Sequence, residues 1–417
     1  MTMKYKVFSK KIGLLVIGLL LCSGISLGFA GNIRLGKLRV EPEIGYKLEY
    51  NDNVALVNTD EQTDYIHTIT PGILMKYEGA TPGNFFSAGY KTDIVVYNDF
   101  DENNYEAHKP FFSLGFKSPM GFYLKAADSY IKTADPYGAS NQYGEGRKTR
   151  RWNNTFDFAL GYEFGGKYGI EGSYRNFLLR YDGEEDEWQN RRDHQYAFDL
   201  FYKIAEKTSV FGEYRHTRGE YDEQNNGASE WTDATSQDYT LDDYSIGVRF
   251  DPGAKLRGEI KIGYGRKNFE NELDKSGRQY VNQTSWVAET EVRYTPTERT
   301  ALSWKLKRNI EGSPTESSSS YLNTFMGLDI KHSLTKQFSL GAGIDWNRND
   351  YSDENLAGVP KRYFSIYTAR TGFEWQIRQW FTGGMEYMYK SKSANNSYYE
   401  SEAYDNNVFS LSLNAVF

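Results

Sequence analysis

Polar and apolar residues alternate along most of the chain. Val40, Pro42, Ile44, Tyr46, Leu48 and Tyr50 take one set of positions, and Arg39, Glu41, Glu43, Gly45, Lys47 and Glu49 take the other. Side chains of a β-strand point to opposite faces in turn, so one face of such a segment is apolar and the other charged. The last stretch repeats the pattern, with Phe409, Leu411, Leu413, Ala415 and Phe417 against Val408, Ser410, Ser412, Asn414 and Val416. Between these ends the spacing predicts strands near 64–78, 84–99, 105–117, 120–134, 151–164, 167–182, 190–204 and 207–222. It predicts further strands near 240–251, 255–270, 279–294, 298–311, 319–333, 336–350, 361–376, 378–391 and 403–417. That makes about eighteen strands of ~12–16 residues each, where strands of soluble proteins typically run about five or six. A tilted membrane strand needs about 9–11 residues within lipid.

The connections alternate as well. Short ones fall at Gly165–Gly166, Ala205–Lys207 and Pro296–Glu298; long polar ones fall at Asp135–Arg150, Tyr221–Asp238 and Tyr351–Pro360. Short periplasmic turns and longer extracellular loops are the rhythm of an outer-membrane barrel. The expected fold is all-β: a transmembrane antiparallel up-and-down β-barrel of about eighteen strands. No later apolar run is long enough for a membrane helix. A closed barrel spans lipid without one, because closure satisfies every backbone group.

Residues 1–30 read as a signal peptide, and 31–417 as the barrel with a short lead-in over 31–37. Lys4, Lys6, Lys10 and Lys11 form a basic start, Ile12–Cys22 an apolar core, and Gly28-Phe29-Ala30 a small-residue cleavage site. The single cysteine, Cys22, follows Leu21 where lipidation wants a small residue, and it leaves with the leader. Aromatic residues reach 16%, with 34 Tyr, although hydrophobic residues are only 39%. Tyr and Trp gather at strand ends, at Tyr162, Tyr264, Tyr294 and Trp346, as in the girdles at the two membrane interfaces.

The charged faces supply the candidate lumen-lining residues. They are Arg175, Glu213, Arg215, Arg249, Arg257, Glu259, Lys261 and Glu289, then Glu291, Arg293, Lys305, Asp329, Asp345, Arg370 and Glu386. Inward aromatics such as Phe177, Phe201 and Phe325 accompany them. Opposite charges on neighbouring strands also pair and stiffen a wall, so this pattern does not by itself identify groups that touch cargo. Catalysis finds little support: the five histidines show neither a paired metalloprotease motif nor zinc spacing. Asp99, Asp101 and Asn103 lack the glycine and closing glutamate of a calcium loop. No cofactor and no nucleic-acid partner are expected. Arg147, Lys148, Arg150 and Arg151 form a basic cluster suited to lipopolysaccharide phosphates or an anionic polymer. Asp182 and Glu184, Glu185, Asp186 and Glu187 form an acidic tip, suited to bridging through divalent cations or to plain solvation.

Two resemblances add to this reading. A last strand ending in Phe417 resembles the C-terminal signal that barrel-assembly machinery reads in outer-membrane proteins. Tyr50-Asn51-Asp52-Asn53-Val54, Asp64-Tyr65-Ile66, Thr70-Pro71-Gly72-Ile73 and Gly89-Tyr90 resemble the opening hairpins of the outer-membrane β-barrel porin family associated with exopolysaccharide export. That likeness covers about 50–95; beyond it only the strand rhythm is shared. It implies a passive conduit in the bacterial outer membrane, with outer-membrane lipids, lipopolysaccharide, a polysaccharide and periplasmic export components as partners. The alternatives are a general or small-solute porin and a structural barrel with a blocked lumen. Mechanically, Asn51, Asp52 and Asn53 suit a turn leaving the sheet, and Pro71 predicts a bulge or locally open pairing.

Overall fold

The computed structural model describes residues 33–134, 149–222, 235–250, 253, 255–274, 277–313, 319–352 and 360–417, except the side chain of Glu185. A short strand β1 (Ile33–Leu35) precedes eighteen long ones. The first half comprises β2 (Leu38–Asn51), β3 (Asp64–Glu78), β4 (Phe85–Tyr97), β5 (Tyr105–Lys117), β6 (Phe122–Ala134), β7 (Arg150–Phe164), β8 (Tyr168–Tyr181), β9 (Arg191–Ala205) and β10 (Thr208–Tyr221). The second comprises β11 (Tyr239–Phe250), β12 (Leu256–Phe269), β13 (Gln283–Thr297), β14 (Thr300–Gly312), β15 (Ser320–Ser333), β16 (Phe338–Tyr351), β17 (Tyr363–Arg378), β18 (Phe381–Ala394) and β19 (Tyr404–Val416).

Each long strand pairs antiparallel with its neighbours in sequence, and β19 pairs with β2. The result is a closed antiparallel barrel of eighteen strands. Connections leaving odd-numbered long strands are short, as at 206–207, and those leaving even-numbered ones are long, as at 98–104. Carried once around the ring through all the registers, a position returns displaced by about 22 residues, which sets a strand tilt of about 40° and a backbone radius of about 18 Å.

The prolines sit where the ladder can spare a donor. Pro71 continues the ladder to β2, but between β3 and β4 the pairing skips from Ile69–Ile94 to Gly72–Lys91 with no change of register. The Thr70 hydroxyl donates to Asp93 Oδ1 at 2.8 Å beside this gap. Locally open pairing, one of the two outcomes expected at Pro71, is the one found.

The short lead-in carries a turn of its own: Ile33–Leu35 folds back on Leu38–Val40, with Gly36 at φ +66° where a side chain would be strained. Two expectations need correction. Strand β13 starts at Gln283 instead of 279 and runs through Pro296, which lies at a register shift between Tyr294 and Thr297. The residues before it fold over the barrel end instead, and the Tyr280 ring stacks on Phe269 at 4.8 Å. The acidic tip is not wholly solvated, because Glu184–Gln189 forms a 3-10 turn that buries Asp186 and Trp188. Residues 1–30, the Arg147–Lys148 part of the basic cluster and the bulk of the two longest loops lie outside the described residues.

Candidate functional site

Residues opposite one another across a ladder share a face, so the registers sort every strand into two rows. On one row, ion pairs reach across an intervening strand. Lys261 on β12 lies 3.1 Å from Glu213 on β10, Lys203 on β9 lies 3.3 Å from Glu163 on β7, and Lys331 on β15 lies 3.0 Å from Glu374 on β17. Next-nearest strands stand about 10 Å apart, and their side chains converge only on the inner side of a curved sheet. The other row splays outward and leaves Ile246, Ile344 and Leu200 exposed at 69%, 62% and 54%. The charged row is therefore the concave one, and all fifteen candidate residues belong to it.

Ten of the fifteen lie on β8–β13, and seven of these gather together. Lys261, buried, sits between Glu213 and Glu289 at 3.1 and 3.0 Å, and Arg215 reaches the same two carboxylates at 2.9 and 3.5 Å. Arg249 donates to Glu259 at 2.7 Å and lies over the Phe201 ring, 4.4 Å from its centroid. Arg175 pairs with Asp157 at 2.6 Å beside this group. A second set joins Arg370 to Asp329 at 2.7 Å and to Asp345. Lys305 meets Glu291 at 3.4 Å nearer the short-turn end, where Arg257 and Arg293 stand directly opposite each other. Glu386 stands apart from these sets, opposite Gly372 and Ser410.

At the long-loop end the interior narrows. The β13–β14 ladder runs from Thr297–Thr300 up to Ala288–Arg308 and stops, leaving 283–287 and 309–312 unpaired with each other. The β14–β15 ladder continues to Gly312–Ser320. The end of this hairpin leans into the barrel. A Cβ on Gly312 would lie 2.9 Å from the Tyr221 hydroxyl, 3.7 Å from Arg191 and 4.0 Å from Lys267. Those residues belong to β10, β9 and β12, and β9 lies about 24 Å away measured along the wall, so this contact crosses the interior. A cavity of about 300 Å³ lies below it. Its lining combines both edges of the parted ladder (Val287, Ala288, Asn309, Ile310) with Glu213 and Lys261.

Aromatic rings and cations fill the same level. Arg191 lies over Phe177, Lys267 over Tyr239 at 4.0 Å, and Tyr321, Tyr351, Phe364 and Tyr399 form a buried cluster. In the loop beyond β10, burial raises the Asp238 carboxyl above its ordinary range although the Tyr221 amide donates to it at 2.7 Å. None of Arg191, Tyr221, Tyr239 and Lys267 was among the sequence candidates. The alternating row from Arg257 to Lys267 already marked Lys267, but the inward lean of β14 left no sequence signal.

A family profile described as "Putative beta-barrel porin 2" matches residues 29–417. The chain belongs to that family. Among solved structures, the porin is similar in fold to Pseudomonas aeruginosa OpdQ (10% identity, 91% of this chain and 97% of that one, TM-score 0.44). It is also similar to Vibrio cholerae OmpT (12% identity, 93% and 100%, TM-score 0.36) and to a bacterial polysaccharide outer membrane secretin (8% identity, 91% and 98%, TM-score 0.38). These likenesses bear on the fold alone. A search of curated protein sequences finds no match. The porin is an outer-membrane β-barrel, which makes the long-loop end extracellular.

The opening motif of the porin forms a clasp at its seam. Asp52 accepts from the Asn407 amide and side chain, both at 2.7 Å, and Asn51 Oδ1 accepts from Asn406 at 2.6 Å. Asn53, fully buried, donates to the carbonyls of Val57 and Asp405. Asp64, also buried, accepts the amides of Tyr65, Asn98, Asp99 and Phe100 and so closes the β4–β5 loop. The expected turn is present, since the Asn53 amide donates to Asn51 Oδ1 at 3.0 Å. At the other end of the seam, the Phe417 amide donates to Pro42 and its ring stacks on Trp380 at 5.8 Å.

All five histidines lie on the convex row. Four bond to neighbouring hydroxyls: His67 to Tyr46, His108 to Tyr90, His194 to Tyr174 and His332 to Thr300. His216 pairs with Asp242. Among the described residues no group of His, Cys, Asp and Glu has the arrangement to hold a metal ion.

Proposed function

We propose that this porin is a non-enzymatic, passive conduit for secreted exopolysaccharide, shut at rest by the inward-leaning end of β14–β15. The observation that carries this reading is the pairing of a parted β13–β14 ladder with a hairpin end lodged across the charged interior. A polymer exporter needs an opening that stays closed until a chain arrives from the periplasm. Returning 309–312 to the wall would complete the ladder with β13 and clear the passage in one movement. The likeness of the 50–95 region to export porins supports the cargo class. The candidate residues, Arg175 to Glu386, would then line the wet passage. Phe417 would serve as the assembly signal.

Two cysteine pairs test the gate, since the sequence has no cysteine besides Cys22. Tyr221→Cys with Gly312→Cys ties the hairpin end across the interior. Val287→Cys with Asn309→Cys, opposite each other if the register continues, ties it into the wall. The first pair, oxidised, should hold planar-bilayer conductance at or below the intact protein, and the second should raise it. A deletion strain should lose secreted polysaccharide while keeping small-solute uptake. Steady large conductance from the intact protein, with normal polysaccharide in the deletion strain, would overturn the export reading in favour of a small-solute porin.

A further inference from the structure

The convex row ends differently on two sides of the barrel. From β6 to β16, a cation stands just beyond an aromatic residue toward the extracellular end. Lys132 follows Tyr130, Arg150 lies beyond Trp152, Arg266 follows Tyr264, and Arg348 follows Trp346. Arg192 and Arg218 stand one further step out, past the histidines that follow Tyr196 and Tyr214. Arg180 and Arg308 complete the set on β8 and β14. From β17 through β19 and β2 to β5, the strands carry no lysine or arginine at this level, Lys361 lying just outside β17 beyond Tyr363; they present Tyr50, Tyr65, Tyr363 and Tyr389 with Glu106 and Asp405.

Four of the eight cations already have carboxylates. Arg180 pairs with Asp222, Arg218 with Glu220 and Glu270, Arg348 with Asp350, and Lys132 lies 3.8 Å from Asp182. The other four make no ion pair within 4.0 Å among the described residues, although Asp242 stands opposite Arg266, Glu220 opposite Arg192, and Asp350 acts on Arg308 from further off. Arg266 donates to Asn268, Arg308 lies over the Trp286 ring with Thr324 at its guanidinium, and Arg150 and Arg192 are exposed. They fall on β7, β9, β12 and β14, two or three strands apart, so roughly 10–14 Å of wall separates neighbours. A guanidinium just outside an aromatic girdle stands at the level of lipid head groups, and its planar donors match phosphate oxygens.

We propose that the β6–β16 side of the porin is a docking surface for phosphate-bearing glycolipid head groups of the outer leaflet. Arg150, Arg192, Arg266 and Arg308 each take a phosphate there, and the seam side takes none. Trp152, Tyr264 and Trp286, beside Arg150, Arg266 and Arg308, pack on the glycolipid body while the guanidinium holds the anionic head.

The purified, folded porin is placed in phosphatidylcholine vesicles with either diphosphorylated lipid A or the same lipid A with its phosphates removed. Lipid retained after gentle extraction is counted by native mass spectrometry. The native chain should retain the phosphorylated form about tenfold better, and Arg150→Gln/Arg192→Gln/Arg266→Gln/Arg308→Gln should abolish that preference. A charge-matched control, Lys167→Gln/Lys207→Gln/Arg299→Gln/Lys336→Gln in the periplasmic turns, should keep it. Heat-modifiable migration on gels confirms that each variant is folded. Equal retention of both lipids by the native chain, or an undiminished preference in the first variant, would overturn the assignment. Loss of preference in both variants would also overturn it, leaving net charge as the cause.

Discussion

The wall from β8 to β13 and the wall at the seam share one ladder, yet their side chains hold it by opposite means. On the first, Lys261, Arg215, Glu213 and Glu289 form a crowded, partly buried charge network that reaches from β10 to β13. At the seam small groups, Gly341, Gly372, Gly384, Ser410 and Ser412, stand between the separate pairs Lys47–Glu49 and Lys331–Glu374 around a cavity of about 510 Å³. The strength of the seam sits instead at its extracellular edge, in the amides and carboxylate of Asn51, Asp52, Asn53, Asn406 and Asn407. A barrel can thus hold one side with charge inside the wall and the other with amides at its rim.

The largest effect should come from the charge network. Glu213→Ala leaves buried Lys261 and half-buried Arg215 to share Glu289 and should cost about 3 kcal/mol, read from urea unfolding in lipid vesicles. A loss below about 1 kcal/mol would mean that water already screens this wall as thoroughly as it does the surface. Asp52→Ala should cost about 2 kcal/mol, because it strips a carboxylate from two short hydrogen bonds at the seam. If Asp52→Ala proved the more damaging of the two, the seam would be the stiffer side and the contrast would reverse. The smallest effect on folding should come from Gly341→Arg, expected within about 0.5 kcal/mol, with a clear fall in conductance once the gate is opened. A Cβ there meets nothing nearer than a carbonyl oxygen at 3.8 Å, whereas one on Gly343, two residues along the same row, would lie 2.3 Å from Asp329. Gly343→Arg should therefore impair folding where Gly341→Arg does not.

Much of this was legible in the sequence because a barrel wall obeys one rule. A two-residue period fixes both the strand and its faces, so Lys261 and Glu213 could be assigned to one row without knowing that they touch. The seam clasp was not legible as such. Asn51, Asp52 and Asn53 read locally as a turn, which they are, but their partners lie on the last strand. Pro71 can be placed because a missing donor acts where it stands, while Pro296 reads as a turn residue although the ladder bulges around it. The inward lean of β14 leaves the alternation of 300–312 untouched, since a strand that quits its neighbour keeps its period.

Asp52 and Asn407 are 355 residues apart, and that distance turns the clasp into a statement about time. Bringing such remote ends together is not prohibitive at equilibrium, since each doubling of loop length adds only about 0.6 kcal/mol. Non-local pairing of this kind is slow, however, and until it happens the outer edge of β2 offers unsatisfied amides and carbonyls to any passing strand. Asn53 donates to the carbonyl of Asp405, on the strand that closes the ring, so its buried amide finds that acceptor only after every intervening hairpin has found its place. A chain halted before β19 would keep two raw edges and a buried polar group lacking that bond, and would be marked by both as unfinished to whatever proteases patrol the periplasm.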